Sequence, residues 1–302
     1  MKTVVFAYHN MGVIGCSALK KHGFDIKCVF THKNDENENI WFESVQAWCE
    51  KNNIEYFTPE NVNTKEWIDK IASYKPDIIF SFYYRNLICE DILKLAPFKA
   101  INLHGSCLPA YRGRAPVNWV LVNGEKQTGV TLHYMVKKPD AGDIIAQKCV
   151  DIDFYDTAKT LYEKLEKLAF TLLDETLPHI KNNTVKPVKQ DESKASYFGR
   201  RTKQDGLIDF NKTSIEIYNL IRAVTKPYPG AFCYYKGKEL IIWWAIPYSI
   251  QLKPKQIAKI DNKVYIGSKV GSLELKEVEY DGKTYKEKEI LNLLEGGYLL
   301  QL

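Results

Sequence analysis

The chain has 302 residues, 45% hydrophobic and 26% charged, values of a globular protein of one large or two modest domains that exclude a disordered chain, a coiled coil or a collagen-like repeat. Its 42 lysines and arginines against 37 aspartates and glutamates leave a net charge of +5. That charge is scattered rather than massed on one segment, so no nucleic-acid partner is expected.

Only a few apolar-leaning residues precede the polar Tyr8-His9-Asn10. That start is too short for a signal peptide. Thr3–Tyr8 predicts a strand, and Gly12 and Gly15 open a helical pattern through Lys21. Gly12-x-x-Gly15 lacks the third glycine of a dinucleotide fingerprint. It reads instead as a tight strand-to-helix turn, with His9 and Asn10 facing a ligand crevice. Phe24–Thr31 predicts a second strand ending in the polar stretch Asn34–Asn39. Ile40–Lys51 reads as a helix with Trp41, Val45 and Trp48 on one face. A helix over Lys65–Ser73 and a buried strand over Ile78–Phe82 follow. Strands are expected at Ala100–His104, Gly129–Met135 and Asp143–Val150. Thr157–Ile180 is the longest helical pattern, with Leu161, Leu165, Leu168 and Leu172 at spacings of three and four. This alternation predicts a mostly parallel α/β sheet with helices on both faces.

Lys181–Gln204 is polar and loses periodicity, as a linker does; Arg200-Arg201 within it is a solvated pair or a pyrophosphate contact. Beyond it lie one amphipathic helix, Thr213–Val224, and several short strand patterns, as in a small β-barrel. The longest strongly apolar stretch, Leu240–Ile246, is far below the ~20 residues that span a bilayer, so no membrane insertion is expected. The seven cysteines are dispersed, with no C-x-x-C pair. That argues against a zinc site or a disulfide scaffold and predicts free thiols in a cytoplasmic protein.

Chemistry concentrates in Ala100–Pro116, where a strand dissolves into a loop rich in Gly, Pro and Arg. Ligands of open α/β sheets bind at strand carboxyl ends. Asn102 and His104 are two apart, so on a strand they share a side, roughly 6.6 Å from each other. A reacting carbon fits between a carboxamide donor and an imidazole acid/base. The Gly105–Pro109 loop offers backbone donors to the same point. Within Val136–Ile145, Asp140 or Asp143 is the carboxylate within reach of His104, and a carboxylate there favours imidazolium. His133, in an alternating strand, reads as structural.

The motifs Asn102-x-His104-x-Ser106-x-Leu-Pro109, Tyr111-Arg-Gly113 and Asp140-x-Gly142 resemble the signature of the folate-dependent formyltransferases. Val4–His9, Phe80–Arg85 and Gly113–Trp119 are similar to nucleotide-sugar formyltransferases, including those that act on UDP-4-amino-4-deoxy-L-arabinose in polymyxin resistance and lipid A modification. The resemblance covers essentially the whole chain. It implies a Rossmann-like catalytic domain over 1–190, a linker over 191–210 and a smaller OB-like β-barrel domain over 211–302. It implies N10-formyltetrahydrofolate as formyl donor, no metal, and a nucleotide-linked 4-amino sugar as acceptor. Alternative acceptors are another dTDP- or GDP-amino sugar, or methionyl-tRNA. The tRNA enzymes should carry a basic insertion after an early strand, whereas Thr31–Asn39 is polar and acidic. A formyltetrahydrofolate hydrolase and a catalytically silent sugar-binding module are further readings, and a homodimer fits any of them.

Residue by residue, the resemblance makes Asn102, His104 and Asp140 the catalytic set. Asn102 would hold the formyl oxygen, His104 would shuttle the proton and Asp140 would orient the imidazole. The folate pocket would comprise Asn86, Leu87, Ile88, Arg114, Val136, Lys137, Lys138, Pro139 and Asp140. Two departures stand out. Cys107 replaces the usual leucine after the motif serine. The polymyxin-resistance relatives also carry a decarboxylase domain, and this sequence stops at Leu302, so channelling within this polypeptide is not expected.

Overall fold

The computed structural model describes residues 1–33, 42–298 and 300. These fall into two compact units. The first comprises Met1–Pro116, Gln127–Asp151 and Tyr162–Phe198; the second comprises Val117–Lys126, Ile152–Leu161 and the chain from Gly199 onward. In chain order the elements up to the first motif are β1 (Lys2–Ala7), α1 (His9–Lys21), β2 (Asp25–Phe30), α2 (Val45–Asn52), β3 (Tyr56–Phe57), α3 (Lys65–Ser73), β4 (Ile78–Phe82), α4 (Glu90–Leu93), β5 (Ala100–His104) and β6 (Arg112–Gly113). Then come α5 (Pro116–Val122), β7 (Gln127–Tyr134), β8 (Ile144–Asp151), α6 (Ala158–Lys181) and β9 (Tyr197–Phe198).

The first unit is built on a seven-stranded sheet in the order β3-β2-β1-β4-β5-β7-β8. The strands from β3 to β5 are parallel, and β7 and β8 continue antiparallel. The central strands explain themselves. Thr3–Ala7 of β1 and all of β4 are buried, and only near-continuous apolar runs tolerate burial on both faces. Phe6, Phe30, Ile71 and Ile79 join one core cluster at 0% exposure. The Rossmann-like mostly parallel sheet is therefore present as expected.

Two local expectations need correction. The helix expected over Ile40–Lys51 begins at Val45, because Ser44 Oγ accepts from the Ala47 amide (3.3 Å) and caps it there. Trp41 and the stretch 34–39 lie outside the described residues. Gly12 and Gly15 lie inside α1 rather than in a turn. A Cβ at Gly15 would stand 2.3 Å from the Phe82 ring, and one at Gly12 would stand 2.9 Å from Val45. These glycines let α1 settle onto the sheet, and His9, at φ 61°, makes the turn.

The cysteines give a third correction. Five are free, but Cys107 and Cys149 are disulfide-bonded, with Cα atoms 6.3 Å apart. Gly129 and Cys149 are cross-strand partners on β7 and β8. A Cβ on Gly129 would meet the Cys107 sulfur at 2.6 Å, so the missing side chain leaves the gap through which the sulfur crosses. The 42-residue separation hides this pairing from the sequence. Unfolded without reductant, the protein should titrate five thiols, and seven after reduction. Reduction should cost about 2–4 kcal/mol of stability, read as a lowered urea midpoint. Seven thiols before reduction would mean the pair is open.

The second unit contains α7 (Ser214–Val224), β10 (Ala231–Tyr235), β11 (Lys238–Tyr248), β12 (Ile257–Ile260), β13 (Lys263–Gly267), β14 (Ser272–Tyr280), β15 (Lys283–Lys286) and α8 (Lys288–Leu293). Its strands form one antiparallel sheet in the order β10-β11-β14-β13-β12, with β15 beside β14. Thr213 and Glu216 close a capping box at the start of α7. Arg201 lies 4.5 Å over the Trp119 ring and donates to the Asp205 carbonyl (2.9 Å). No helix among the described residues is long and apolar enough to cross a membrane.

Candidate active site

The site is assembled where β5 pairs with β7. Asn102 stands opposite His133, and His104 opposite Thr131. The loop after β5 is pinned by Thr131, which is fully buried. Its Oγ1 donates to the Ser106 carbonyl (2.7 Å) and accepts from the Leu108 amide (3.2 Å) and from Gln147 Nε2 (2.8 Å). Ser106 Oγ donates to the Ala110 carbonyl (2.7 Å). The expected backbone donors of Gly105–Pro109 thus include one, Leu108, that is spent on holding the loop. Further along, the Gly113 amide donates to Asp140 Oδ2 (2.9 Å).

His104 is 7% exposed. Its Nε2 is 2.8 Å from the Tyr111 carbonyl. A carbonyl can only accept, so Nε2 carries a hydrogen, and Nδ1 is the nitrogen free to take up and release a proton. Nδ1 lies 3.7 Å from Asp140 Oδ2. Of the two expected carboxylates, Asp140 is the one whose side chain lies beside this imidazole.

His133, expected to be structural, stands beside two of the expected site residues. Its Nδ1 donates to the Tyr134 carbonyl (2.8 Å), leaving Nε2 as the ring's acceptor. Asn102 Nδ2 donates to that Nε2 at 3.1 Å. This bond turns the Asn102 carboxamide and leaves its second N–H hydrogen for a ligand oxygen. The other Asp140 oxygen, Oδ1, lies 3.5 Å from His133 Nε2. No local pattern singles out His133; only the antiparallel register with β5 does.

Asp140 sits at φ 54°, and Oδ2 accepts from the Gly113 amide (2.9 Å). Burial works against its charge. The imidazoles of His104 and His133 and the Gly113 hydrogen bond outweigh that and hold its carboxyl well below the usual carboxylate range.

The remaining expected ligand residues are spread along neighbouring loops. Asn86 Nδ2 donates to the Glu60 carbonyl (3.2 Å), and the Leu87 carbonyl accepts from Asn63 Nδ2 (2.8 Å). Ile88 packs on the core of the first unit. Arg114 Nη2 donates to the Arg85 carbonyl (2.9 Å). Lys137 pairs with Glu90 at 3.7 Å and Lys138 with Glu192 at 2.8 Å, while Pro139 is exposed. Leu87 and Val136 stand out as large apolar side chains left 69% and 46% exposed.

Past the ends of β1 and β4, Arg85 Nη2 lies 3.1 Å from His9 Nε2, and its guanidinium sits 4.5 Å over the Tyr8 ring. Burial first, then Arg85 and His32, pull the His9 imidazole down to a pKa of about 3, so it is neutral near pH 7. Asn10 Oδ1 accepts from the Glu43 amide (2.5 Å). Among the described residues, no group of three or more His, Cys, Asp or Glu is placed to hold a metal ion.

The family model for formyl transferase matches residues 1–177, and that for the formyl transferase C-terminal domain matches residues 200–294. Among solved structures, WlaRD is described as a sugar 3N-formyl transferase crystallised in the presence of dTDP and 5-N-formyl-THF. It is 26% identical, with a TM-score of 0.71 over 94% of this chain and 98% of its own. An N-formyltransferase from Helicobacter canadensis, in complex with folinic acid and dTDP-3-aminofucose, is 25% identical, with a TM-score of 0.71 over 94% of this chain and 100% of its own. Methionyl-tRNA formyltransferase from Clostridium thermocellum, at 19% identity, shares the fold with a TM-score of 0.57 over 82% of this chain and 93% of its own.

Proposed function

The chain belongs to the formyl transferase family, and on that footing we propose that it transfers a formyl group from N10-formyltetrahydrofolate to the amino group of a nucleotide-linked amino sugar. The observation that carries this reading is that Asp140 lies beside both His104 and the His133 that bonds Asn102, in a chain similar over 94% of its length to two sugar N-formyltransferases. Both are described with dTDP or a dTDP-sugar, so a dTDP-linked amino sugar is the favoured acceptor. The UDP-4-amino-4-deoxy-L-arabinose suggested by the sequence motifs is the alternative.

The donor supplies an activated formyl carbon. Leu87 and Val136 offer the apolar surface that a flat ring would cover. As the neutral sugar amine attacks that carbon, negative charge develops on the formyl oxygen. The free N–H of Asn102, aimed by His133, meets it there, and one such donor is worth about 2.7–4 kcal/mol. The attacking nitrogen must then shed a proton. His104 Nδ1 receives it and returns it to the departing nitrogen, with Nε2 anchored on Tyr111 throughout. Asp140 stays charged and stabilises the imidazolium while it exists. An amine is already a good nucleophile, so no group is needed to activate it.

Incubation with N10-formyltetrahydrofolate and a panel of dTDP-, UDP- and GDP-linked amino sugars tests the proposal. The expected product is a dTDP-linked sugar heavier by one formyl group. Gain on the UDP sugar alone would move the acceptor to the alternative. Formate release without any acceptor, or transfer to initiator methionyl-tRNA with steep salt dependence, would overturn the sugar reading.

A further inference from the structure

Gln190 lies in the polar stretch after α6, half-buried, with both ends of its carboxamide engaged. Nε2 donates to the carbonyls of Asp140 (2.9 Å) and Gly142 (2.6 Å). Oε1 accepts from Nε (3.1 Å) and Nη2 (2.7 Å) of Arg112. Carbonyls only accept and a guanidinium only donates, so the partners dictate which way the amide faces. Arg112 is fully buried. Its other donors go to Glu192 Oε1 (2.6 Å) and Oε2 (3.2 Å) and to the Tyr197 hydroxyl (2.7 Å). A buried cation compensated on every side is a rigid anchor, because moving it would strand its charge.

The next residue, Gly113, donates to the Asp140 carboxylate, which closes a ring. It runs from the Arg112 guanidinium through Gln190 to the Asp140 main chain, out along the Asp140 side chain, and back through the Gly113 amide. Asp140 holds a positive φ, a conformation that aspartate adopts more readily than most non-glycine residues. Its carboxylate stands 3.7 Å and 3.5 Å from two imidazoles. Both are longer than the 2.9 Å bond from the Gly113 amide, so the carboxylate is held most closely from the Gly113 side.

We propose that Gln190 is a positioning residue: by holding the carbonyls of Asp140 and Gly142 against the Arg112 anchor, it sets where the Asp140 carboxylate stands relative to His104. This rests on the role given to Asp140 under the proposed function.

The test uses the full chain with Gln190→Ala, Asp140→Asn and their combination. Gln190→Ala should lower kcat by about 10- to 100-fold, the scale of a misplacement of about 1 Å, and leave both KM values within about twofold. In the Asp140→Asn background, the same change should alter kcat by less than about threefold, because its target is gone. Losses that multiply in full would overturn the inference. Gln190→Glu keeps the acceptor for Arg112 but loses the donor for two carbonyls, so it should match Gln190→Ala; a wild-type rate there would overturn it too. Site-resolved amide exchange decides independently of turnover. The Gly113 amide should exchange about tenfold or more faster in Gln190→Ala while amides of β1 and β4 keep their rates. Unchanged exchange at Gly113, or acceleration throughout the sheet, would overturn it. A wild-type chain that formylates no sugar would defeat the proposed function and still leave the Gly113 result to decide for Gln190.

Discussion

His104→Ala lowers kcat for formyl transfer by about 10²–10⁴-fold, the range for a positioned general acid–base, while binding of the formyl donor stays near wild type. The split follows from placement. His104 is buried against the Tyr111 carbonyl, and in the proposed reaction its Nδ1 meets the proton that moves as the amine attacks. The ground-state donor carries no such proton, so loss of the ring weakens the transition state and not the complex. Asn102→Ala should cost about 10²–10³-fold, the cost of one oxyanion donor. The two losses should be less than multiplicative when combined, because both act on one charge separation. Stopped assays of formyl transfer, with donor affinity measured by fluorescence titration, separate the alternatives. Near-normal turnover in both variants removes the assignment. A loss confined to donor affinity turns these residues into binding groups.

Much of the frame of this site is legible in the sequence because it is local. The stretches Ile78–Phe82 and Ala100–His104 read as strands, and the structure gives them those bounds. The side shared by Asn102 and His104 follows from the two-residue repeat of a strand. What the sequence hides is non-local. His133 enters the site only through the register in which β7 runs antiparallel to β5, and composition and alternation along β7 alone make it a core residue. Cys107 and Cys149 meet only across the gap left by Gly129. Gln190 sits in a stretch whose polarity and lost periodicity read as a linker, yet its partners are a buried arginine and two carbonyls. Polar clamps carry no period, so no window along the chain reveals them. Asp140 against Asp143 is the same problem at short range. Asp140 lies in the turn and Asp143 just before β8, and only the folded chain shows which of them stands beside His104.

Asp140→Asn keeps the shape and an oxygen that can still accept from the Gly113 amide, so the fold should survive while the charge disappears. Turnover should fall by about 10²-fold or more, because the imidazolium that forms as the amine sheds its proton loses the anion beside it. The same variant makes a separate claim about stability. The Asp140 carboxyl is held below its usual range in the folded state. Its contribution is therefore fully present above the unfolded value of about 3.9 and is lost as pH falls through the folded pKa. Urea midpoints should accordingly show Asp140→Asn less stable than wild type at pH 7, with the gap narrowing as both are taken well below pH 4. A gap that persists unchanged in acid would mean the asparagine costs stability through packing rather than through lost charge. Unchanged turnover would detach the Asp140 carboxylate from the proton transfer at His104 and leave it a purely structural ligand of Gly113.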